Sequence, residues 1–268
     1  MKKKIMLISG SGKFPFLFAK AARDKGCYVS SIAIKHNTDP RLRGFVDDIH
    51  WFKISEFKKI FEYLRSESID NVAMAGQIKP RTLFNKEIFK DEELRKLFLD
   101  LKDRRADSIF GAVAQKIESE GLTVLDSTLF LEDYLPKKGV LTGDEPSQEL
   151  WDDINFGFQI AKEIGRLDIG QTVVVKDKAI VAVESMEGTD ATIRRAGLIV
   201  SWGCVVVKVS KPKQDKRFDI PVVGLQTVKN LIKIKARCLA LESGRTLVID
   251  KEECIRQAKR HGIIITAV

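Results

Sequence analysis

Histidine is scarce. His36, His50 and His261 are the only three in the chain, which leaves imidazole catalysis and histidine-based zinc sites little to work with. Cysteine is scarce too: Cys27, Cys204, Cys238 and Cys254 show no C-x-x-C spacing and no nearby histidine at zinc-ligand distance. They read as buried thiols of a reducing compartment, not as a disulfide framework. Long hydrophobic runs are missing; stretches such as the one around Val205–Val207 fall far short of the ~20 residues that span a bilayer. Met1-Lys2-Lys3-Lys4 leads straight into a short apolar run, without the core or cleavage site of a secretory signal. These absences exclude transmembrane, secreted and disordered classes and leave a cytoplasmic globular protein as the expectation.

What is present is enough for a real core: 44% of 268 residues are hydrophobic against 31% charged, which allows one large domain or two small ones. Lys and Arg outnumber Asp and Glu by 46 to 37, a net charge of +9. A basic balance suits polyanionic partners such as nucleic acid, phosphorylated metabolites or an anionic lipid surface, and equally suits ordinary solvated lysines. The cations are spread along the chain without interleaved aromatics, so no nucleic acid partner is expected.

Residues 4–9 are a short apolar run ending at Gly10-Ser11-Gly12. Helical spacing follows over 14–25, 56–66, 84–101 and 108–120, and buried-strand patterns over 28–34, 72–75 and 122–125. Strands alternating with helices predict a Rossmann-like parallel sheet, an α/β fold, with ligands beyond the carboxyl ends of its strands. Gly10, Gly12, Gly76 and Gln77 fall at such ends. Composition shifts at 135–149, where Pro136, Gly139, Gly143 and Pro146 read as a linker. Beyond it a helix over 151–164, a hairpin over 172–184 and short strands mixed with helices predict a mixed α+β domain. The expected division is 1–134, linker 135–149 and 150–268.

The Gly10-Ser11-Gly12 turn has the form of a phosphate-approach turn, but Pro15 stands where a third glycine would complete the dinucleotide signature. Lys35 and His36 occupy the region of the ribose-binding acid. A nucleotide-dependent oxidoreductase is therefore the weaker alternative, and the glycines equally suit plain helix–sheet packing. The second half holds four polar, glycine-rich segments: Leu167 to Gln171, Glu184 to Asp190, Lys208 to Pro212 and Lys213 to Pro221. Alternating carboxylates and cations at strand ends suit a phosphate-bearing substrate held through Mg²⁺, which takes one or two carboxylates plus phosphate oxygens. Taken singly, each has an ordinary explanation. Glu187-Gly188-Thr189-Asp190 can be a helix cap with Asp190 and Arg194 as an i,i+4 pair, and 208–217 a solvated loop.

Ile8 to Pro15, Gly76-Gln77-Ile78-Lys79-Pro80, Leu167-Asp168-Ile169-Gly170-Gln171, Glu187-Gly188-Thr189-Asp190 and Lys211 to Pro221 occur together in one family. With them the whole chain resembles the LpxI-type UDP-2,3-diacylglucosamine pyrophosphatases of lipid A biosynthesis. Phe14 and the Lys79-Pro80 order depart mildly from the family pattern. The resemblance implies a Mg²⁺-dependent homodimeric hydrolase, peripheral to the inner membrane, that binds its ligand between two domains. It implies cleavage of UDP-2,3-diacylglucosamine to 2,3-diacylglucosamine 1-phosphate (lipid X) and UMP, with water attacking the α-phosphorus. An essential carboxylate is implied in Gln214-Asp215-Lys216-Arg217-Phe218-Asp219-Ile220-Pro221, with Asp219 the first candidate and Asp215 the second. Metal ligands are expected among Asp219, Asp215, Asp190 and Glu187. Substrate contacts are expected from Gly10, Gly12, Gly76, Gln77, Asp168, Gln171, Glu187, Gly188, Thr189, Asp190, Lys208, Lys211 and Arg217. In the residues themselves, Phe218 and Ile220 alternate with Asp219 as in a strand, which would turn its carboxylate away from the core.

Overall fold

Ile5, Met6 and Leu7 follow one another without a turn residue, and all three are wholly buried in β1 (Lys4–Ser9). In the structure, a computed structural model that describes residues 2–78, 90–103 and 105–268, β1 lies mid-sheet. It pairs in parallel with β2 (Tyr28–Ile34) and β4 (Asn71–Ala75). β3 (Asp48–Phe52) and β5 (Thr123–Val124) complete the parallel order β3-β2-β1-β4-β5. Parallel neighbours need crossovers. Helix α1 (Phe14–Asp24) joins β1 to β2, α2 (Phe57–Ser66) joins β3 to β4, and α3 (Glu92–Asp100) and α4 (Ala106–Ser119) lie between β4 and β5. α1 carries Pro15 in its first turn, where the missing N–H costs nothing, and buries Phe14, Phe18, Ala19 and Ala22. α2 buries Phe57, Ile60, Phe61 and Leu64, one face at helical spacing. The part of the expected 84–101 helix before residue 90 lies outside the described residues.

The second sheet is mixed, in the order β6-β13-β11-β9-β7-β8. β9 (Val205–Lys208), β11 (Cys238–Leu241) and β13 (Ile264–Ala267) run parallel. The hairpin β7 (Thr172–Lys176) and β8 (Ala179–Val183) adds to β9 through antiparallel β7, and β6 (Gly139–Val140) adds antiparallel to β13. A small parallel pair, β10 (Val222–Val223) and β12 (Leu247–Val248), stands apart. Helix α5 (Gln148–Arg166) covers one face over Val173, Val175, Val205 and Val207. Gly157 allows this contact, since a Cβ there would lie 2.8 Å from methyls of Val175 and Val207. Helices α6 (Thr189–Ala196), α7 (Leu225–Lys233) and α8 (Lys251–Arg260) bury Ile193, Val228, Leu231, Cys254 and Ala258 in the other core layer.

The chain divides into two compact units, Met1–Leu131 with Asp215–Asp219, and Glu132–Gln214 with Ile220–Val268. Two features depart from a serial reading. The stretch 135–149 holds β6 and the start of α5, whose N-cap Ser147 accepts from Leu150 N–H. Five residues of the second half, Asp215–Asp219, pack with the first unit.

Candidate active site

In the first unit the sheet reverses its winding between β1 and β4, the point where open parallel sheets leave a crevice. Gly10-Ser11 and Gly76-Gln77 meet there. Ser11 N–H donates to Gln77 O at 2.7 Å, Gln77 N–H to Ser11 O at 3.1 Å, and Ser11 Oγ to Gln77 O at 2.9 Å. A Cβ on Gly10 would lie 2.7 Å from Gln77 O, and one on Gly76 2.6 Å from Ser11 O. These two glycines are required by the approach of one loop to the other. Gly12 has open space around it and a φ of +91°, so its need is conformational. Lys79 and Pro80 of the same motif lie outside the described residues.

In the second unit, strand directions explain why the distant polar segments converge. β8, β9 and β11 end at the edge where β7 begins. That brings together Asp168 to Thr172, Glu184 to Asp190, Lys208 to Lys211, and Glu242. Lys208 and Glu184 are almost wholly buried, with side chains 3% and 9% exposed and Nζ–Oε2 at 3.9 Å. Thr189 Oγ1 links them, accepting from Lys208 Nζ at 2.5 Å and donating to Glu184 Oε1 at 2.9 Å. Thr172 Oγ1 lies 3.5 Å from the same ammonium. Lys211 Nζ pairs with Asp168 Oδ1 at 2.7 Å, and Gln214 Nε2 donates to Gln171 Oε1 at 3.3 Å. Behind them Lys162 Nζ and the Ser210 N–H and hydroxyl converge on the Glu242 carboxylate at 2.7–3.1 Å.

The Asp215–Asp219 segment is a turn, where alternation had suggested a strand. The carboxylate of Asp215 accepts from the Arg217 N–H at 3.0 Å and from its guanidinium at 2.7–3.1 Å. The N–H groups of Phe218 and Asp219 donate to Asp215 O at 3.2 and 2.9 Å. An aspartate bonding the backbone two residues on closes such a turn locally, whatever the apolar pattern around it. Arg217 Nη1 also reaches Glu118 Oε1 at 2.6 Å, Ser127 N–H and Oγ donate to Lys216 O, and Phe218 packs against Phe110. Phe218 thus faces the core as expected, anchoring a turn that carries Asp219.

Of the four expected metal-ligand carboxylates, Asp219 has its Oδ2 buried at the turn just described, and the other three differ in how they are occupied. Asp215 is held by Arg217, which sets its carboxyl below the usual range. Burial works to raise Glu187, but hydrogen bonds and charge from Arg195, together with Thr192, bring it below the usual range. Asp190 Oδ1 is buried with no hydrogen-bond partner among the described residues, as is Glu184 Oε2. A buried carboxylate oxygen without a hydrogen-bond partner has the donor chemistry that a hard cation such as Mg²⁺ takes. No three His, Cys, Asp or Glu among the described residues form a complete metal cage. Glu184, Thr172, Lys162 and Glu242 join this edge without having been singled out as site residues. For Glu184, Thr172 and Glu242 the signal was a polar residue at, or one past, the end of an apolar strand, whereas Lys162 reaches the edge from within α5.

The family model of the LpxI N-terminal domain matches residues 4–134 and that of the LpxI C-terminal domain residues 137–266. A curated relative, the UDP-2,3-diacylglucosamine pyrophosphatase LpxI of Caulobacter vibrioides, is 31% identical over 277 residues, covering 99% of this chain and 98% of its own. Among solved structures, an N5-carboxyaminoimidazole synthetase from Staphylococcus aureus complexed with ADP aligns at 14% identity and a TM-score of 0.25. A phosphoribosylglycinamide synthetase from Anaerococcus prevotii gives the same two values. The alignments cover 65% and 68% of this chain and 38% of each of theirs, and carry no argument.

Proposed function

The chain belongs to the LpxI family, and from that premise we propose that it hydrolyses UDP-2,3-diacylglucosamine in lipid A biosynthesis. The products are 2,3-diacylglucosamine 1-phosphate and UMP. The observation that carries the reading is the second unit's polar edge, where half-buried Thr189 links buried Lys208 to buried Glu184 and is followed in the chain by Asp190, whose Oδ1 is buried with no hydrogen-bond partner among the described residues. Hydrolysis of a phosphoric anhydride needs charge neutralisation and a positioned water more than a strong nucleophile. This donor set supplies both without histidine or cysteine.

In this reading Lys208 and Lys211 bind pyrophosphate oxygens. Asp190 and Glu184 would hold Mg²⁺, which when bound supplies further neutralisation of phosphate charge. Asp219, at the end of the turn that Asp215 and Arg217 close, is the carboxylate assigned to orient the attacking water and accept its proton. The water oxygen bonds to the α-phosphorus, and the bond from that phosphorus to the bridging oxygen breaks. The bridging oxygen leaves with the diacylglucosamine phosphate. Arg217 is already engaged by Asp215 and Glu118, so its part is to position the turn. We further propose that the enzyme acts peripherally at the inner membrane and as a homodimer.

The test is direct: purified protein, UDP-2,3-diacylglucosamine and Mg²⁺, with UMP followed by chromatography. UMP release that stops in EDTA and returns with added Mg²⁺ is expected. No UMP from folded protein with metal content verified would overturn the reading, and full turnover in excess chelator would overturn the metal.

A further inference from the structure

The polar edge of the second unit has an apolar border. Leu167 is 56% exposed, Ile169 47% and Met186 62%. Isolated exposed apolar residues need no explanation, but the backbone brings these together. Gly170 lies so close to Glu184 that a Cβ would fall 2.1 Å from its carbonyl oxygen, so Ile169 and Met186 flank one backbone contact. The turn bearing Leu167 and Ile169 is also pinned. Asp168 adopts a φ of +56°, uncommon for a residue other than glycine, and its carboxylate is held by Lys211 Nζ at 2.7 Å. Leu167 and Ile169 are therefore held outward on a fixed backbone, on either side of the aspartate that engages a site lysine.

We propose that Leu167, Ile169 and Met186 form the surface that takes an acyl chain of the lipid whose phosphates the adjoining lysines bind. The occupant follows from the juxtaposition. Buried cationic and carboxylate groups adjoin a fixed apolar border at one sheet edge, which matches an amphiphile with an anionic head and a hydrocarbon tail. A wholly polar nucleotide sugar would leave the border unused. The inference rests on the lipid-substrate reading above and assigns the tail contact within it.

Two measurements test it. The first uses Met186→Trp and follows its emission as 2,3-diacylglucosamine 1-phosphate is added, with UMP and glucosamine 1-phosphate as tail-free probes. A blue shift with the diacyl compound alone is expected; no shift at saturation, or the same shift with glucosamine 1-phosphate, overturns the proposal. This readout needs no turnover, so a lipid-specific shift in a protein that releases no UMP would keep the tail contact and sink the hydrolase. The second compares wild type with Leu167→Ser/Ile169→Ser on substrates of increasing acyl length. Wild-type kcat/KM should rise with chain length, whereas the variant should respond weakly, with KM raised roughly tenfold on the longest chain and kcat nearly unchanged. Equal chain-length dependence in the two proteins, at matched melting temperature, would place the tail elsewhere.

Discussion

Asp215 and Asp219 stand four residues apart, and the structure gives them different work. Asp215 closes the turn with Arg217, while Asp219, whose Oδ2 is buried at the end of that turn, has the proposed role of orienting water. Asp219→Asn should therefore cut kcat by about 100-fold or more at an almost unchanged melting temperature. Asp215→Asn should lower the melting temperature instead, and kinetics beside thermal melts separate the two. The Arg217 hydrogen bonds hold the Asp215 carboxyl below its ordinary value of 3.8 against opposing burial. Its stabilising contribution is then complete above pH 3.8 and is lost as pH falls through the lowered value. The melting-temperature gap between wild type and Asp215→Asn should accordingly narrow on acidification below that point. Lys208 and Glu184 form the other sensitive pair. Lys208→Met leaves a buried carboxylate without its cation and should destabilise by about 3–5 kcal/mol; adding Glu184→Gln should recover part of that loss in denaturant titrations. In the sequence, Asp219 and Lys208 were singled out through their segments, and Lys208 lies at the end of β9 beside Glu184. Glu184 opened one of the polar segments, but its pairing with Lys208 was hidden, because a glutamate ending an apolar strand looks the same whether solvated or folded under a lysine.

At the level of elements, the strongly periodic segments were readable. Tyr28–Ile34 is a strand over its whole expected span, and α2 buries the four apolar residues that its spacing names. Among the strands that escaped were β3 and β6, edge strands whose residues are half-exposed or glycine-bearing and so carry little apolar alternation. The 218–220 alternation misled for a different reason: a hydrogen bond from the Arg217 N–H to the Asp215 side chain decided the local backbone, and periodicity cannot register it. The glycine pair at the β1–β4 crevice was visible, but its reason was not, since Gly10 and Gly76 serve a contact between loops 66 residues apart, as in the Ser11–Gln77 bond. Gly10→Ala and Gly76→Ala should each destabilise by about 1–3 kcal/mol through overpacking against backbone, measurable as a shifted urea midpoint. Gly12→Ala meets no atom within 4 Å and should lose stability only through its left-handed φ.

Across the molecule, the compositional break near 135 lies a few residues from the Leu131–Glu132 boundary of the two compact units. The return of Asp215–Asp219 to the first unit was not legible, because local sequence does not register a contact with residues about a hundred positions earlier, such as Arg217 with Glu118. The second unit also exposes Leu198, Ile199 and Trp202 at the sheet edge opposite its polar groups, with Lys176 Nζ over the Trp202 ring at 4.5 Å. A surface turned away from the site suits the proposed pairing with a second copy. Leu198→Ser/Ile199→Ser/Trp202→Ser should therefore halve the mass seen by light scattering and leave hydrolysis of dispersed substrate largely intact; an unchanged mass would put the dimer contact elsewhere. The most direct test of the whole scheme is hydrolysis of UDP-2,3-diacylglucosamine in ¹⁸O-water with mass analysis of both products. Attack at the α-phosphorus places the label in UMP and leaves the diacylglucosamine 1-phosphate unlabelled. Label in the lipid phosphate instead would mean attack at the β-phosphorus and would contradict the roles assigned to Asp219 and the polar edge.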